Sequence, residues 1–526
     1  MDYKFYFRSD AVEGDALRVS EFEGEEGVSQ PFRFDIQLFS GHADIDLDSV
    51  LRAPAYLDIE TAEMSRRIHG VLAEFEQLEQ GPVHVHYRAV LVPRLWLLTL
   101  RRQNQVHSKD PESLDFKSGG LTVDKIIEKE LKDAGFGTED FEISLQEFHP
   151  VREYVVQYQE TDLAFLSRLM EHEGVFYYFT HQDDRDKLIV ADRNERFEDQ
   201  LDHGTLIYRD PRGMAEPAPS VFPLRCRHVR VPREVMLRDY NWRTPGLDLT
   251  VTETVEDEGN GMVCEYGAHY KETEKEGATL ARMRAEEIRC RRRLYEGGSN
   301  CAALQPGHFY TLDEHYRDGF NQKYLVTRVH HRGGQSSAGV SGVPEDEDRP
   351  AYRNTFVSIP ADVPYRPERR TPKPKIQGVV NAKIDAAGSG EYAEIDELGR
   401  YKVALPFDQG VDFTTLASGG GSRWVRKAEP YSGSDYGMHF PLHRGAEVLI
   451  THVDGDPDRP VIAAAVPNVE THTPVDAEDG RKNVLRTAAG NVMELDDTAG
   501  QEGFLMTNRS MGAVRQMRAR PRKLKK

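Results

Sequence analysis

The sequence predicts a mainly β protein, β-rich α+β, built from several units, and three observations lead there. Short stretches of alternating apolar and polar residues, rich in aromatic and β-branched side chains, recur through most of the chain. Only three segments carry a convincing helical period. Beyond a proline-rich connector, about five further strand patterns crowd together, as in a small closed barrel of the OB type. At 526 residues the chain exceeds one domain, since single domains usually run to ~100–200 residues, so at least three units are expected.

The strand patterns are YKFYFRSD, PFRFDIQLFS, AYLDIET, RRIHGVLAEFEQL, VHYRAVLVPRLWLL and YLVTRVHH, with glycine and proline between them. The first helix, LTVDKIIEKELKDAG, places Leu121, Ile126, Ile127 and Leu131 near one face and stops at Gly135. DLAFLSRLMEHEG, from Asp162 to Gly174, repeats the pattern. The third, KEGATLARMRAEEIRCRRRLYEG, spaces Leu280, Met283, Glu287 and Arg291 at three and four residues. Its RCRRRL run resembles a nucleic-acid patch, but Glu286 and Glu287 precede it, so a solvated face with internal ion pairs is expected.

GGQSSAGVSGVPEDEDRP, from Gly333 to Pro350, reads as an exposed loop, and YRPERRTPKPKI, from Tyr365 to Ile376, as a connector, with a boundary near Thr371. IQGVVNA, GRYKVALPF, RWVRKAEP, AEVLITHVDG and RPVIAAAV supply the five strands of the small barrel. RKNVLRTAAGNVMELDDTAGQEGFLMTN then gives two or three short strands with little core of their own, which need neighbours or copies of themselves. The expected division is 1–371, 372–470, 471–508, and a basic, disordered tail at 509–526.

Charge narrows the function. Acidic residues number 88 against 68 basic, a formal net charge of -20, which opposes nonspecific attraction to nucleic acid or an anionic membrane. Eight Arg or Lys lie after Asn508 with no acid among them, so the basic character is local to the tail. From Lys373 to Glu470 there are ten basic and fourteen acidic residues, which opposes a groove that tracks a nucleic-acid backbone. Cys226, Cys264, Cys290 and Cys301 form no CxxC pair and suit reduced thiols, although Cys290 with Cys301 leaves a bridge open. MDYKFYFRSD lacks a basic segment followed by an apolar core, and no run reaches the ~18 apolar residues of a membrane span, so if the protein leaves the cell it is expected to do so without a cleaved signal.

Catalytic templates fail in turn. The dipeptide GK never occurs, GxSxG is absent, and His172-Glu173 lacks the second histidine of HExxH. GSGEYA, Gly388 to Ala393, is a GxGxxA variant that opens no helix and reads as a hairpin. His439 and His443 are four apart, but Pro441 between them argues against a shared helix face. His330 and His331 face opposite ways on a strand and cannot share a metal. HVDGDPDRPVI, His452 to Ile462, alternates Asp454, Asp456 and Asp458, yet counting a calcium loop from Asp454 puts Arg459 at position six and Ala465 at position twelve. Its Asp-Gly, Asp-Pro and Arg-Pro steps are turn chemistry, and a barrel hairpin is expected. No catalytic, cofactor-binding or metal-ligating residue is assigned.

Several stretches in one order resemble a known family. VSEFEGEEGVSQPFRFDIQLFS, IHGVLAEFEQL, YRAVLVPRLWLLTLRRQNQV and REYVVQYQETDLAFLSRLMEHEGVFYYF, then GRYKVALPFD, SRWVRKAEPYSGSDYGMHFPLHRGAEVLITHVDGDPDRPVIAAAVPN and NVLRTAAGNVMELDDTAGQEGFLMTN, are similar to VgrG, the valine-glycine repeat spike-tip family of type VI secretion systems. The likeness runs from Tyr3 to Asn508. It implies a hub region with two similar β-barrels, then an OB-type barrel, then the start of an intertwined trimeric β-helix. The implied role is structural and noncatalytic: a homotrimer caps the hexameric Hcp tube, meets baseplate components, and carries a PAAR-type tip, effectors or adaptors through a target membrane by mechanical puncture. Assembly in the bacterial cytoplasm and release outside or into a target cell follow from it.

The chain departs from that pattern after Asn508, where a non-repeating basic tail replaces further β-helix. Eighteen residues are too few for an appended toxin, and a frameshift or truncation is favoured over a docking segment. Two alternatives are an OB-type module binding nucleic acid or oligosaccharide, and a cell-wall hydrolase like that of phage spikes. The connector is too short to hold an inserted lysozyme domain.

Overall fold

The computed structural model describes residues 3–62, 64–81, 84–108, 121–182, 184–200, 204–209, 218–334, 351–387, 391–411, 413, 416, 421–508 and 514–517. The chain divides into two units, Met1–Pro374 and Lys375–Lys526.

In the first unit the alternating segments become β1 (Lys4–Ser9), β2 (Arg18–Gly27), β3 (Gln30–Ser40), β4 (Ala55–Glu60), β5 (Ser65–Gln80) and β6 (Val85–Val92). Their neighbour order is β1-β4-β5-β6-β3-β2, and Tyr6 of β1 opposite Arg18 of β2 closes the ring. Side chains of one parity, such as Phe32, Phe34, Ile36 and Leu38 on β3, turn into the barrel and are buried. The run VHYRAVLVPRLWLL does not stay extended: after β6, Arg94–Thr99 coils into a 3-10 turn that buries Leu95 and Leu98. Pro93, which has no N–H to give a ladder, stands at the break.

A second ring follows from β7 (Thr205–Tyr208), β8 (Ser220–His228), β9 (Arg293–Ser299), β10 (His308–Asp313), β11 (Lys323–Gly334) and β12 (Tyr352–Pro360). Its order is β7-β8-β9-β12-β11-β10, closing on β7. Numbered from first strand to sixth, both rings share one neighbour order, so the hub region carries two similar barrels. They differ in one direction: β7 lies parallel to both its neighbours, whereas β1 is antiparallel to both of its own.

The rings share a seam. β2 leaves its partner β1 and pairs with β11 from Glu21 opposite Gly334 to Gly27 opposite Arg328. β11 does the same, pairing with β10 at Lys323–Leu325 before meeting β2. Two glycines let aromatic rings lie flat on this ladder: a Cβ at Gly24 would sit 2.1 Å from Phe34 Cδ1, and one at Gly333 would sit 2.3 Å from Phe22 Cε1. One continuous apolar core runs through both barrels, with Tyr3, just before β1, against Tyr352 of β12 at 4.9 Å between ring centres.

Buried polar groups cross the same seam. Arg66 of β5 donates to Glu26 of β2 at 2.6 Å and to the carbonyls of Ala302 and Leu304 at 3.0 and 3.1 Å. Glu26 also meets His331 Nε2 at 2.8 Å, His331 Nδ1 meets the Tyr352 hydroxyl at 2.6 Å, and Asn354 bridges that hydroxyl to the Cys301 carbonyl. Burial alone would raise the Glu26 carboxyl, but the Arg66 guanidinium and His331 hold it well below the usual carboxylate range. His330, by contrast, points outward and pairs with Glu23 at 2.7 Å, so the two adjacent histidines do face opposite ways.

Two insertions decorate the barrels. Between β6 and β7, α1 (Val123–Asp133) and α2 (Asp162–His172) pack their apolar faces into one core, and Gly135 and Gly174 just beyond them take positive φ. Within it, His149 lies between Glu173 at 2.7 Å and Asp192 at 3.0 Å. Between β8 and β9, a three-stranded sheet of Glu234–Asp239, Leu249–Thr254 and Met262–Tyr266 supports α3 (Ala278–Arg289). That helix corrects the expectation of a solvated face. Arg284 is 2% exposed, Glu286 and Glu287 are buried, and the RRRL that follows leaves the helix, with Arg293 and Leu294 opening β9. Most of its ion pairs reach other elements: Arg282 to Glu147, Glu286 to Arg366, Glu287 to Arg369.

In the second unit, β13 (Val379–Asp385), β14 (Lys402–Ala404), β15 (Arg426–Lys427), β16 (Glu447–His452) and β17 (Pro460–Ala465) order as β14-β13-β16-β17-β15. Tyr401 and Val425 exchange backbone bonds of 3.0 and 2.7 Å and close the ring around Ile384, Val403, Val448, Ile450 and Ile462. The last part is an antiparallel meander of β18 (Lys482–Arg486), β19 (Val492–Asp496), β20 (Gly503–Thr507) and β21 (Val514–Met517). The fourth strand falls inside the segment expected to be a disordered tail; backbone ladder bonds need no apolar alternation, and VRQM shows none. The rest of 509–526, the loop 335–350 and Gly388–Gly390 of GSGEYA lie outside the described residues.

Breaking the seam pair by Glu26→Gln leaves the Arg66 charge buried and uncompensated, and should cost the first unit about 3–5 kcal/mol, read as a lowered urea midpoint. Stability should also fall on both sides of neutrality. His181 and His308 are buried neutral, with pKa values pushed down to about 3 and about 4, so their contribution is present above the unfolded value of 6.5 and is lost as pH falls below it. Burial opposes charge on His149, but Asp192 and Glu173 raise it to about 9, so its contribution is complete below 6.5 and is lost as pH rises through 9. A urea series across pH that is flat from 4 to 10 would contradict these assignments.

Candidate functional site

The aspartate-rich stretch is a tight turn. His452 ends β16, Val453–Gly455 makes one 3-10 turn with Asp454 and Gly455 at positive φ, and Pro460 begins β17. Asp456 Oδ1 accepts from the Asp458 N–H at 2.9 Å, the Asp456 carbonyl accepts from Arg459 N–H at 2.9 Å, and the Gly455 carbonyl accepts from Ile376 N–H at 2.8 Å. Asp456 shapes the turn, and the Gly455 carbonyl holds the incoming chain to it.

The remaining candidates are scattered. His439 and His443 meet different carboxylates, Glu429 and Glu391, each at 3.4 Å. His172 Nδ1 receives a bond from Arg284 at 3.1 Å, while Glu173 takes Arg152 and His149. All four cysteines are free thiols, with Cys290 and Cys301 in different cores. Among the described residues, no group of three or more His, Cys, Asp or Glu is placed to hold a metal ion.

What the second unit does present is unburied apolar surface. From Ala463 to Asn508 no residue is buried. Register places Leu485 opposite Met493, Met493 opposite Met506 and Leu495 opposite Phe504, so these five side chains share one face of the meander. The other face mixes Val484, Val492 and Leu505 with Lys482, Arg486, Glu494 and Asp496. The small barrel adds a second patch: Tyr431 and Tyr436 pair at 5.4 Å on a hairpin, beside exposed Met438 and Phe440. The Leu442 carbonyl accepts from Ala393 N–H at 3.1 Å and brings exposed Tyr392 alongside. Fourteen of the twenty-six large apolar side chains that are exposed among the described residues belong to this smaller unit. Such surface marks a place where another surface sits.

A family model for the phage tail baseplate hub matches residues 25–337, from the end of β2 through β11 with both insertions. The chain belongs to the phage tail baseplate hub family. A second model, the type VI secretion system and phage-baseplate injector OB domain, matches residues 409–466 of the small barrel. Among curated relatives of this hub protein, the type VI secretion system spike protein VgrG5 of Pseudomonas aeruginosa is 30% identical over 512 residues, covering 92% of this chain and 61% of that one. The actin cross-linking toxin VgrG1 of Vibrio cholerae is 28% identical, covering 94% of this chain and 45% of its own length. The chain spans about three fifths of the length of the first curated relatives it matches. Of solved structures, the E. coli c3393 protein, described as a type VI secretion component with similarity to the T4 tail proteins gp27 and gp5, is 26% identical with a TM-score of 0.62, over 88% of this chain and 99% of that one. A chain of the Francisella PdpA–VgrG complex shares the fold, at 11% identity and a TM-score of 0.62 over 96% of this chain and 77% of that one. The VgrG likeness read from the sequence therefore holds.

If the aspartates are turn formers, millimolar calcium should leave the melting temperature unchanged. Asp456→Ala should cost roughly 1 kcal/mol, the scale of one local side-chain cap. A calcium-dependent rise of several degrees would contradict this reading.

Proposed function

We propose that this hub-family chain serves as the structural spike-tip component of a type VI secretion system, acting as a homotrimer and not as an enzyme. The observation that carries the reading is the bare meander. Leu485, Met493, Leu495, Phe504 and Met506 line one face that no described residue buries, and closed association of identical copies is the economical way to bury such a face. The twin barrels supply the complementary argument: with two similar rings per chain, three chains present six similar positions, which suits the end of a hexameric Hcp tube. Baseplate components would meet the same hub, and a PAAR-type tip, adaptors or effectors the needle end. In this reading the domains divide the work, with hub, barrel base and needle in order along the chain.

No helix among the described residues is long and apolar enough to cross a membrane. Passage through a target membrane would be mechanical, after assembly in the cytoplasm and release by the secretion system itself. A nucleic-acid role for the small barrel is opposed by its acidic balance, and the name of the actin cross-linking relative describes that protein's activity.

Light scattering coupled to size exclusion should give three times the 59.8 kDa chain mass at micromolar concentration. Met493→Asp with Leu495→Asp, which place charges on the apolar face, should reduce it to one chain mass without unfolding the first unit. A monomer from the unaltered chain would overturn the proposal.

A further inference from the structure

The connector after β12 was expected to be a free, proline-rich linker, yet from Tyr365 to Thr371 it is bonded at almost every residue. Tyr365 N–H donates to Asn194 Oδ1 at 2.8 Å, and its hydroxyl donates to the Val28 carbonyl at 3.3 Å. Arg366 is 3% exposed; it donates to Glu286 at 2.7 Å and to the carbonyls of Gly174 and Asp192 at 3.1 and 2.6 Å. Its own carbonyl accepts from Arg291 at 3.1 Å. Arg369 grips Glu265 through both terminal nitrogens, at 2.8 and 2.6 Å, and Glu287 through Nε at 2.9 Å. The Arg370 and Thr371 N–H groups both donate to Glu171 Oε2, at 3.0 and 2.9 Å, while the Thr371 hydroxyl donates to Oε1 at 2.8 Å.

These partners come from both insertions. Gly174, Asp192, Asn194 and Glu171 belong to the one between β6 and β7; Glu265, Glu286 and Glu287 belong to the one between β8 and β9. The segment therefore straddles the two and ties them by bonds that are mostly charge-assisted, buried at Arg366 and more exposed at Arg369 and Arg370; such bonds are stronger than neutral ones, and a buried one is costly to open singly. A linker that only spanned a gap would have no use for them.

We propose that Tyr365–Thr371 is a latch: it fastens the two insertions to each other and anchors the chain to the first unit immediately before the polypeptide passes into the second. Any pull along the chain from the second unit then meets the latch before it reaches β12 and the barrel wall. The mechanical sense of this rests on the spike reading, but the latch itself is a property of the single chain.

Trypsin tests it at natural sites. The Arg369–Arg370 and Arg370–Thr371 bonds are cleavable in sequence, whereas Arg366 and Lys373 precede proline. In the full chain these two bonds should be cut at least ~100-fold more slowly than in a synthetic peptide spanning 362–376, because cleavage needs the segment to lift off. Glu265→Gln with Glu287→Gln, which keep side-chain shape, should speed cutting there by at least ~10-fold while the thermal melt still reports a folded first unit. Glu171→Gln, at a separate contact, should act in the same direction. Cutting of the unaltered chain within ~3-fold of the peptide rate overturns the latch without any variant, and so does a variant set that leaves the rate unchanged. Mass measured on the same undigested sample keeps the readings apart: a protected monomer counts against the spike and not the latch, and a cut trimer does the reverse.

Discussion

The contact between Glu26 and Arg66 decides whether the first unit is two barrels or one body. β2 and β11 each desert their own ring part-way along, and a strand that does this leaves polar backbone to be satisfied elsewhere. The β2–β11 ladder satisfies it, but it also carries Glu26 to the core, where an unpaired carboxylate would be intolerable. Arg66 from β5 and His331 from β11 neutralise and saturate it, and Arg66 continues to the carbonyls at 302 and 304. One ion pair thus fixes the register of the seam: a slip of one residue along β2 would turn Glu26 outward and strand both partners.

The second unit follows the opposite logic. Its small barrel closes with a core of its own, but from Ala463 to Asn508 no residue is buried, and Leu485, Met493, Leu495 and Met506 stand exposed on one face of the meander. An isolated sheet of this kind is marginal in water. On the proposed spike reading, the chain combines a well-cored body with a segment that association completes. The latch at Tyr365–Thr371 sits in the covalent path between the two.

Period-two alternation made the barrel strands legible, because burial on one side of a pleat writes itself directly into the sequence. The same held for α1 and α2 and for the turn at 452–460, whose Asp-Gly and Pro steps are local chemistry. The seam was not legible: Glu26 and His331 are 305 positions apart, and nothing near either announces the other. The misread face of α3 has the same origin. Its glutamates seek Arg366 and Arg369 in a segment whose prolines suggested a free connector, so long-range pairing overrode a sound local expectation. β21 was missed because VRQM shows no apolar alternation.

Hydrogen exchange followed by mass spectrometry, run at two widely separated protein concentrations, tests the central claim most directly. The amides of 21–27 and 328–334 should be as slow as the barrel cores at both concentrations, whereas those of 482–507 should be slow only when the protein is concentrated. Rapid exchange along the seam, or a meander equally protected at high dilution, would contradict the account.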